Sequence, residues 1–94
     1  MDEFRTPLLV EVDPAENLNT LLAARVASQG DGTMMERKGG LGAVWTPVSA
    51  REFDREVVAV AKGLVAKGLE PGQSVGIMSR TRYEWTLLDF AVWA

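Results

Sequence analysis

The chain has 94 residues, 47% apolar and 24% charged, with a net charge of −3 and neither histidine nor cysteine. That balance belongs to a folded segment with a modest core, burying roughly 60–65% of its unfolded surface. It excludes a disulfide framework and zinc sites built from Cys or His, and the lack of a Lys/Arg stripe argues against nucleic acid as a partner.

Residues 1–16 form a leading segment. Its start, Met1-Asp2-Glu3-Phe4-Arg5, is acidic, unlike the basic start of a secretory signal. A short apolar run, Leu8-Leu9-Val10-Glu11-Val12, ends at Asp13-Pro14 and is too brief to specify a strand. No transmembrane segment is expected, because the longest unbroken apolar stretches, as at 57–61, have five residues against the ~20 that span a bilayer. A helix is predicted over 17–29. Leu18, Leu21, Leu22, Arg25 and Val26 fall at i, i+3, i+4, i+7 and i+8, with Asn17 as N-cap and Gly30-Asp31-Gly32 as the stop.

A hairpin comes next, its strands at 33–38 and 43–46 flanking Gly39-Gly40-Leu41-Gly42. A dinucleotide-binding loop would need a glycine where Trp45 stands and a helix after it. A strand-like run follows instead, so the loop reads as a turn and not a phosphate cradle.

The second helix is the best specified. Ser49-Ala50-Arg51-Glu52 reads as a capping box, and Val48 and Phe53 hold the hydrophobic-staple positions around it. Phe53, Val57, Val60, Ala61, Leu64 and Val65 form its apolar stripe. Gly68 stands at the left-handed C′ position, Leu69 is placed to pack back onto Leu64, and Pro71 prevents continuation. Gly63 and Gly68 have the spacing of a phosphate loop, but Leu69-Glu70 stand where Lys-Ser/Thr is required.

After the Pro71-Gly72 turn, residues 74–78 read as a short strand buried on both faces in a parallel sheet. Thr81-Arg82-Tyr83-Glu84 reads as a second capping box. From Trp85 onward its helix has only Thr86 and Asp89 as polar members, the pattern of an interior helix. The expected fold class is α/β: helix, β-hairpin, helix, strand, helix, the N-terminal portion of a doubly wound domain. Residues 17–94 then form a partial subdomain that stops within its last helix. The apolar surface left open predicts self-association as a homo-oligomer, with a two-fold dimer exchanging terminal helices as one way to close it.

Catalytic chemistry is scarce. Without histidine the commonest general base and metal ligand is absent. Glu52 and Glu84 read as caps. Ser79, Arg80, Thr81 and Arg82 sit at the C-terminal end of the expected strand, where open α/β sheets place ligands, although caps and a solvated arginine pair are the plainer account. Trp45, Trp85 and Trp93 read as core and sheet packing, with no basic groove to make a stacking platform.

The run Val60-Ala61-Lys62-Gly63-Leu64-Val65-Ala66-Lys67-Gly68-Leu69-Glu70-Pro71-Gly72-Gln73-Ser74-Val75-Gly76-Ile77-Met78 resembles a segment near the start of AMP-forming acyl-CoA synthetases. The continuation Ser79-Arg80-Thr81-Arg82-Tyr83-Glu84-Trp85-Thr86-Leu87-Leu88-Asp89-Phe90-Ala91 is similar to their N-x-x-E-W helix, and Asn17-Leu18-Asn19-Thr20-Leu21-Leu22 and Trp45-Thr46-Pro47-Val48-Ser49-Ala50-Arg51-Glu52-Phe53 sit upstream in the expected order. The likeness is strongest to the bacterial, actinobacterial long-chain fatty-acid–CoA ligase branch and covers residues 17–94. Gln73 replaces the usual Asp and Thr81 the usual Asn, each keeping its local role as turn polar group or N-cap. The resemblance implies a parent enzyme that uses ATP and Mg²⁺ to form an acyl-adenylate and then coenzyme A to form the thioester. It also implies a cytoplasmic setting, with peripheral membrane association left open. The family's phosphate loop, adenine and ribose contacts and catalytic lysine have no matching positions in residues 1–94. No catalytic, cofactor-binding or metal residue is therefore assigned, no cofactor is expected to bind this chain, and the chain alone is expected to be inactive. A non-catalytic interaction module and the opening piece of a peptide-synthetase or luciferase-type adenylating enzyme are the alternatives.

Overall fold

Three helices gather beside a hairpin in the computed structural model, which describes residues 2–39 and 44–94. In chain order these are α1 (Leu18–Gln29), β1 (Thr33–Gly39), β2 (Val44–Ser49), α2 (Ala50–Ala66) and α3 (Tyr83–Trp93), a mixed α/β arrangement. The strands pair antiparallel, from Thr33 opposite Ser49 to Gly39 opposite Val44, with an irregularity between Thr33 and Met35. Of the expected glycine-rich turn, only Gly39 falls within the described residues. The leading segment forms no strand, and residues 2–16 are exposed throughout.

The sequence signals at the helix ends act as their chemistry requires. Asn17 accepts the Thr20 amide at 3.0 Å while the Thr20 hydroxyl accepts the Asn17 amide at 2.8 Å, a complete reciprocal cap. At the start of α2, Ser49 accepts the Glu52 amide at 3.1 Å. Only this half of the expected box is made, because Ser49 is itself the last residue of β2. Two further orphan donors of that helix end reach the preceding turn: Ala50 donates to the Gly32 carbonyl at 3.1 Å and Arg51 to that of Gly30 at 2.9 Å. That close approach explains Gly30, where a Cβ would run into the Arg51 guanidinium and lie 2.6 Å from the Val26 carbonyl.

The far end of α2 closes as a Schellman motif. Gly68 has φ +102°, its amide donates to Val65, and Leu69 donates to Leu64 at 3.1 Å. Pro71 and Gly72 then turn the chain. The turn is closed by Gln73 N–H on the Glu70 carbonyl at 3.2 Å and by the Gln73 side chain accepting the Glu70 amide at 2.9 Å.

The core sits where β2 runs into α2. Leu22, Val48, Phe53, Val57 and Leu87 form its buried cluster, with Ala50 and Ala91 buried beside it. Val48 and Phe53 are thus a true staple. The stripe on α2 is buried only in its first half. Val60, Ala61 and Leu64 are half-covered and Val65 is 68% exposed.

Four expectations are corrected. Residues 74–78 form no strand. A parallel strand exists only through its ladder partner, and among the described residues the one sheet is the hairpin. The second correction concerns α3, which starts at Tyr83 with Arg82 as N-cap and no side-chain cap, so the box at Thr81 is not made. α3 is also not interior: Leu87 and Ala91 define one buried stripe. Finally, Trp45, Trp85 and Trp93 are 58%, 41% and 61% exposed instead of packed. On α3 two residues are ~200° apart, so Trp85 and Trp93 face away from Leu87 and Ala91. Trp45, three residues before buried Val48, lies on the opposite face of β2.

The two glycines of α2 should respond oppositely to substitution. Gly68→Val, forcing a β-branched side chain to positive φ, should destabilise by about 1 kcal/mol or more. Gly63, mid-helix with open space where a Cβ would stand, should tolerate Gly63→Ala neutrally or gain up to about 1 kcal/mol. Urea melts at fixed protein concentration check both, and the reverse order would place the helix end elsewhere.

Candidate functional site

A hollow of about 650 Å³ lies between β1 and the first turn of α3 and is lined by residues from Met35 to Gly39, Trp45, residues 81–84 and Thr86. Period-two geometry builds one wall: Met35 and Arg37 share the face of β1 that looks toward the core. The opening turn of α3 builds the other. Of the expected ligand-facing corner, Thr81 and Arg82 line the hollow. Ser79 and Arg80 are not part of its lining, and the Ser79 hydroxyl donates to the Arg80 carbonyl at 2.6 Å.

Glu84 is the electrostatic hub. Its two oxygens take Arg37 at 3.1 Å and Arg82 at 2.6 Å. The Arg82 hydrogen bond first, then one from its own backbone amide and smaller attractions from both arginines hold the Glu84 carboxyl below its usual range, and Glu84 in turn raises Arg82. Arg37 also lies over the Tyr83 ring, 4.0 Å from its centroid, as a cation–π contact. The Tyr83 hydroxyl donates to Glu56 on α2, and burial first, then that hydrogen bond, pushes the phenol above its ordinary value. One cluster therefore ties β1, α2 and α3 together. Lys38 stands 5.6 Å from the centroid of the Trp45 ring, and both line the same hollow.

Sequence reasoning missed Arg37, Glu56 and the hub role of Glu84. An arginine at an inward strand position beside Met35, and a carboxylate flanking the α2 stripe three residues after Phe53, were the available signals.

The cleft gathers three cations, Arg37, Lys38 and Arg82, against Glu36 and Glu84. Two of those cations are already held by Glu84. Among the described residues no three Asp or Glu side chains come together as a metal set. Arg37, Arg82 and Glu84 are thus engaged with one another across the cleft. What the arrangement can do is fix the hairpin against the helices. No helix among the described residues is long and apolar enough to cross a membrane.

Comparison with known proteins gives the context. A family model described as AMP-binding enzyme matches residues 22–94. Over 94 residues the chain is 33% identical to long-chain-fatty-acid–CoA ligase FadD15 of Mycobacterium tuberculosis, and equally to the protein of that name from Mycobacterium bovis. The match covers 100% of this chain, which spans 15% of the length of each relative. No solved structure matches.

The depressed Glu84 carboxyl fixes a sign for the pH response. A group whose folded pKa lies below its unfolded value stabilises the fold above the unfolded value and loses that contribution as pH falls through the folded one. Glu84→Gln should therefore cost about 0.5–1 kcal/mol near neutral pH, a figure suited to a half-exposed ion-pair cluster. The gap to wild type should shrink as pH drops below the ordinary value of 4.5. Denaturant melts of both proteins across that range check it, and a gap that holds constant or widens on acidification contradicts the assignment.

Proposed function

The chain belongs to the AMP-binding enzyme family, and we propose that it is the opening α/β segment of an ATP-dependent ligase that activates a long-chain fatty acid. The parent enzyme forms acyl-AMP with release of pyrophosphate, then passes the acyl group to coenzyme A with release of AMP. The reading is carried by one observation above the rest, the 33% identity to a long-chain-fatty-acid–CoA ligase across all 94 residues. That identity favours a fatty-acyl substrate over the amino acids of peptide synthetases or the acids of luciferase-type enzymes. The parent works with Mg²⁺ in the cytoplasm, where its ATP and coenzyme A are found.

Residues 17–94 are, in this reading, a structural subdomain whose work is positioning. Two features support it. The charged side chains of the cleft are engaged with one another, Arg37 and Arg82 on Glu84 and Tyr83 on Glu56. The apolar side chains are under-covered: Val65, Trp85 and Trp93 face outward, as residues do that pack against further sequence. An independent interaction module would more readily bury such side chains itself.

The complete gene product carrying residues 1–94 should convert palmitate, ATP and coenzyme A to palmitoyl-CoA. The 94-residue chain alone should give ATP–pyrophosphate exchange at background, since the family's phosphate loop and catalytic lysine, which stabilise charge on the α-phosphate, have no matching positions in it. Exchange by the isolated chain above a no-enzyme control contradicts the structural role. A complete product that adenylates other acids but no long-chain fatty acid contradicts the substrate.

A further inference from the structure

The hairpin is held to the helices unevenly. Its base is bolted down: Val48 is buried in the core, Met34 and Met35 pack against that core, and the Gly30 and Gly32 carbonyls accept the Arg51 and Ala50 amides. Beyond Met35 and Val48 the grip ends. Among the described residues of this distal half, 36–39 and 44–47, every one is exposed except Arg37. Half-buried, Arg37 reaches α3, where it meets Glu84 at 3.1 Å and lies 4.0 Å from the centroid of the Tyr83 ring. We propose that the distal half of the hairpin is a flap on the hollow between β1 and α3, latched shut by Arg37 on Glu84 and Tyr83 and swinging about the irregularity between Thr33 and Met35.

Hinge and lever are both present. The break in register falls where the ribbon leaves its buried anchor, and an irregularity at such a place bends a strand. A ribbon of two strands with few buried contacts has little stability of its own beyond that point. From Met35 to Gly39 the lever is about 13 Å long, so a modest swing carries Gly39 several ångströms.

Opening leaves no charge stranded. Glu84 keeps Arg82 at 2.6 Å, a partner that travels with α3 and not with the hairpin. Tyr83 keeps Glu56 on α2. The Arg37 side chain is already 37% exposed when latched, so water takes it up at small cost, whereas breaking a fully buried pair is heavily penalised. The latch is one partly exposed ion pair and one cation–π contact, which makes the open form a minor but populated state. Closed, Lys38 and Trp45 line the hollow together with Thr81 and Thr86; open, they leave it. The device does not depend on what the parent enzyme activates.

The chain has no cysteine, so Gly39→Cys with Arg55→Cys, both at exposed positions, places two spin labels whose separation pulsed EPR reads. At 0.1 M salt one distance should dominate. At 1 M salt, where the Debye length has fallen from about 10 to about 3 Å, the ratio of a second, displaced distance to the first should rise roughly two- to fivefold. Arg37→Gln in the same background should raise it roughly five- to thirtyfold, with an unchanged far-UV spectrum. Arg82→Gln should leave the flap latched, since Glu84 then has Arg37 alone. A distance distribution that ignores salt, ignores Arg37→Gln, or shifts as much in Arg82→Gln overturns the proposal. The salt series decides the matter by itself if Arg37→Gln fails to fold.

Discussion

Phe53 is where the helices converge. It is fully buried one turn into α2 and takes the ring edges of Tyr83 at 6.2 Å and Phe90 at 5.3 Å, with interplanar angles of 74° and 81°. Edge-to-face pairs add about 0.5–1.5 kcal/mol each beyond the 1.5–3 kcal/mol of burying the side chain. α3 is too short to persist alone, since isolated helices under ~12–15 residues are marginal in water. Its existence therefore depends on this contact. The staple with Val48 sets the angle at which α2 leaves the hairpin, and Leu22 of α1 completes the same cluster.

The polar cleft is a second tie between the same elements. Tyr83 packs its ring edge on Phe53 while its hydroxyl meets Glu56 and its face meets Arg37. One residue thus joins the apolar core to the charge cluster, and Glu84, next in sequence, carries the arrangement to Arg82. Everything past that hub is less covered: the second half of α2, the outer face of α3 and residues 74–78. The chain belongs to the AMP-binding family and spans 15% of the length of the curated relatives it matches.

Much of this was legible in the residues. Gly68 and Leu69 gave the Schellman closure because only glycine accommodates positive φ cheaply, and Asn17 gave the first cap because its side chain mimics a backbone acceptor. Those signals are local. The failures were the features that depend on distant partners. Residues 74–78 have strand composition, but a strand is made by its neighbour. Glu84 has capping-box spacing from Thr81, but the helix starts at Tyr83, and its carboxylate meets Arg37, 47 residues away. The tryptophans read as core because indole is large and apolar, whereas their angular positions relative to Val48, Leu87 and Ala91 turn them outward. Family membership was legible from the run at 60–78. No catalytic residue was assigned from the sequence.

The central claim, that α3 has no stability apart from its packing on Phe53, is tested most directly by native-state amide hydrogen exchange. Amides of α2 around Val57 and of α3 around Ala91 should open with the same free energy and the same denaturant dependence, as one cooperative unit. In Phe53→Ala, which forfeits about 3–5 kcal/mol, protection should vanish from both together. If α3 amides exchange through a separate, lower-energy opening while α2 remains protected, or α3 keeps its protection in Phe53→Ala, the account is contradicted.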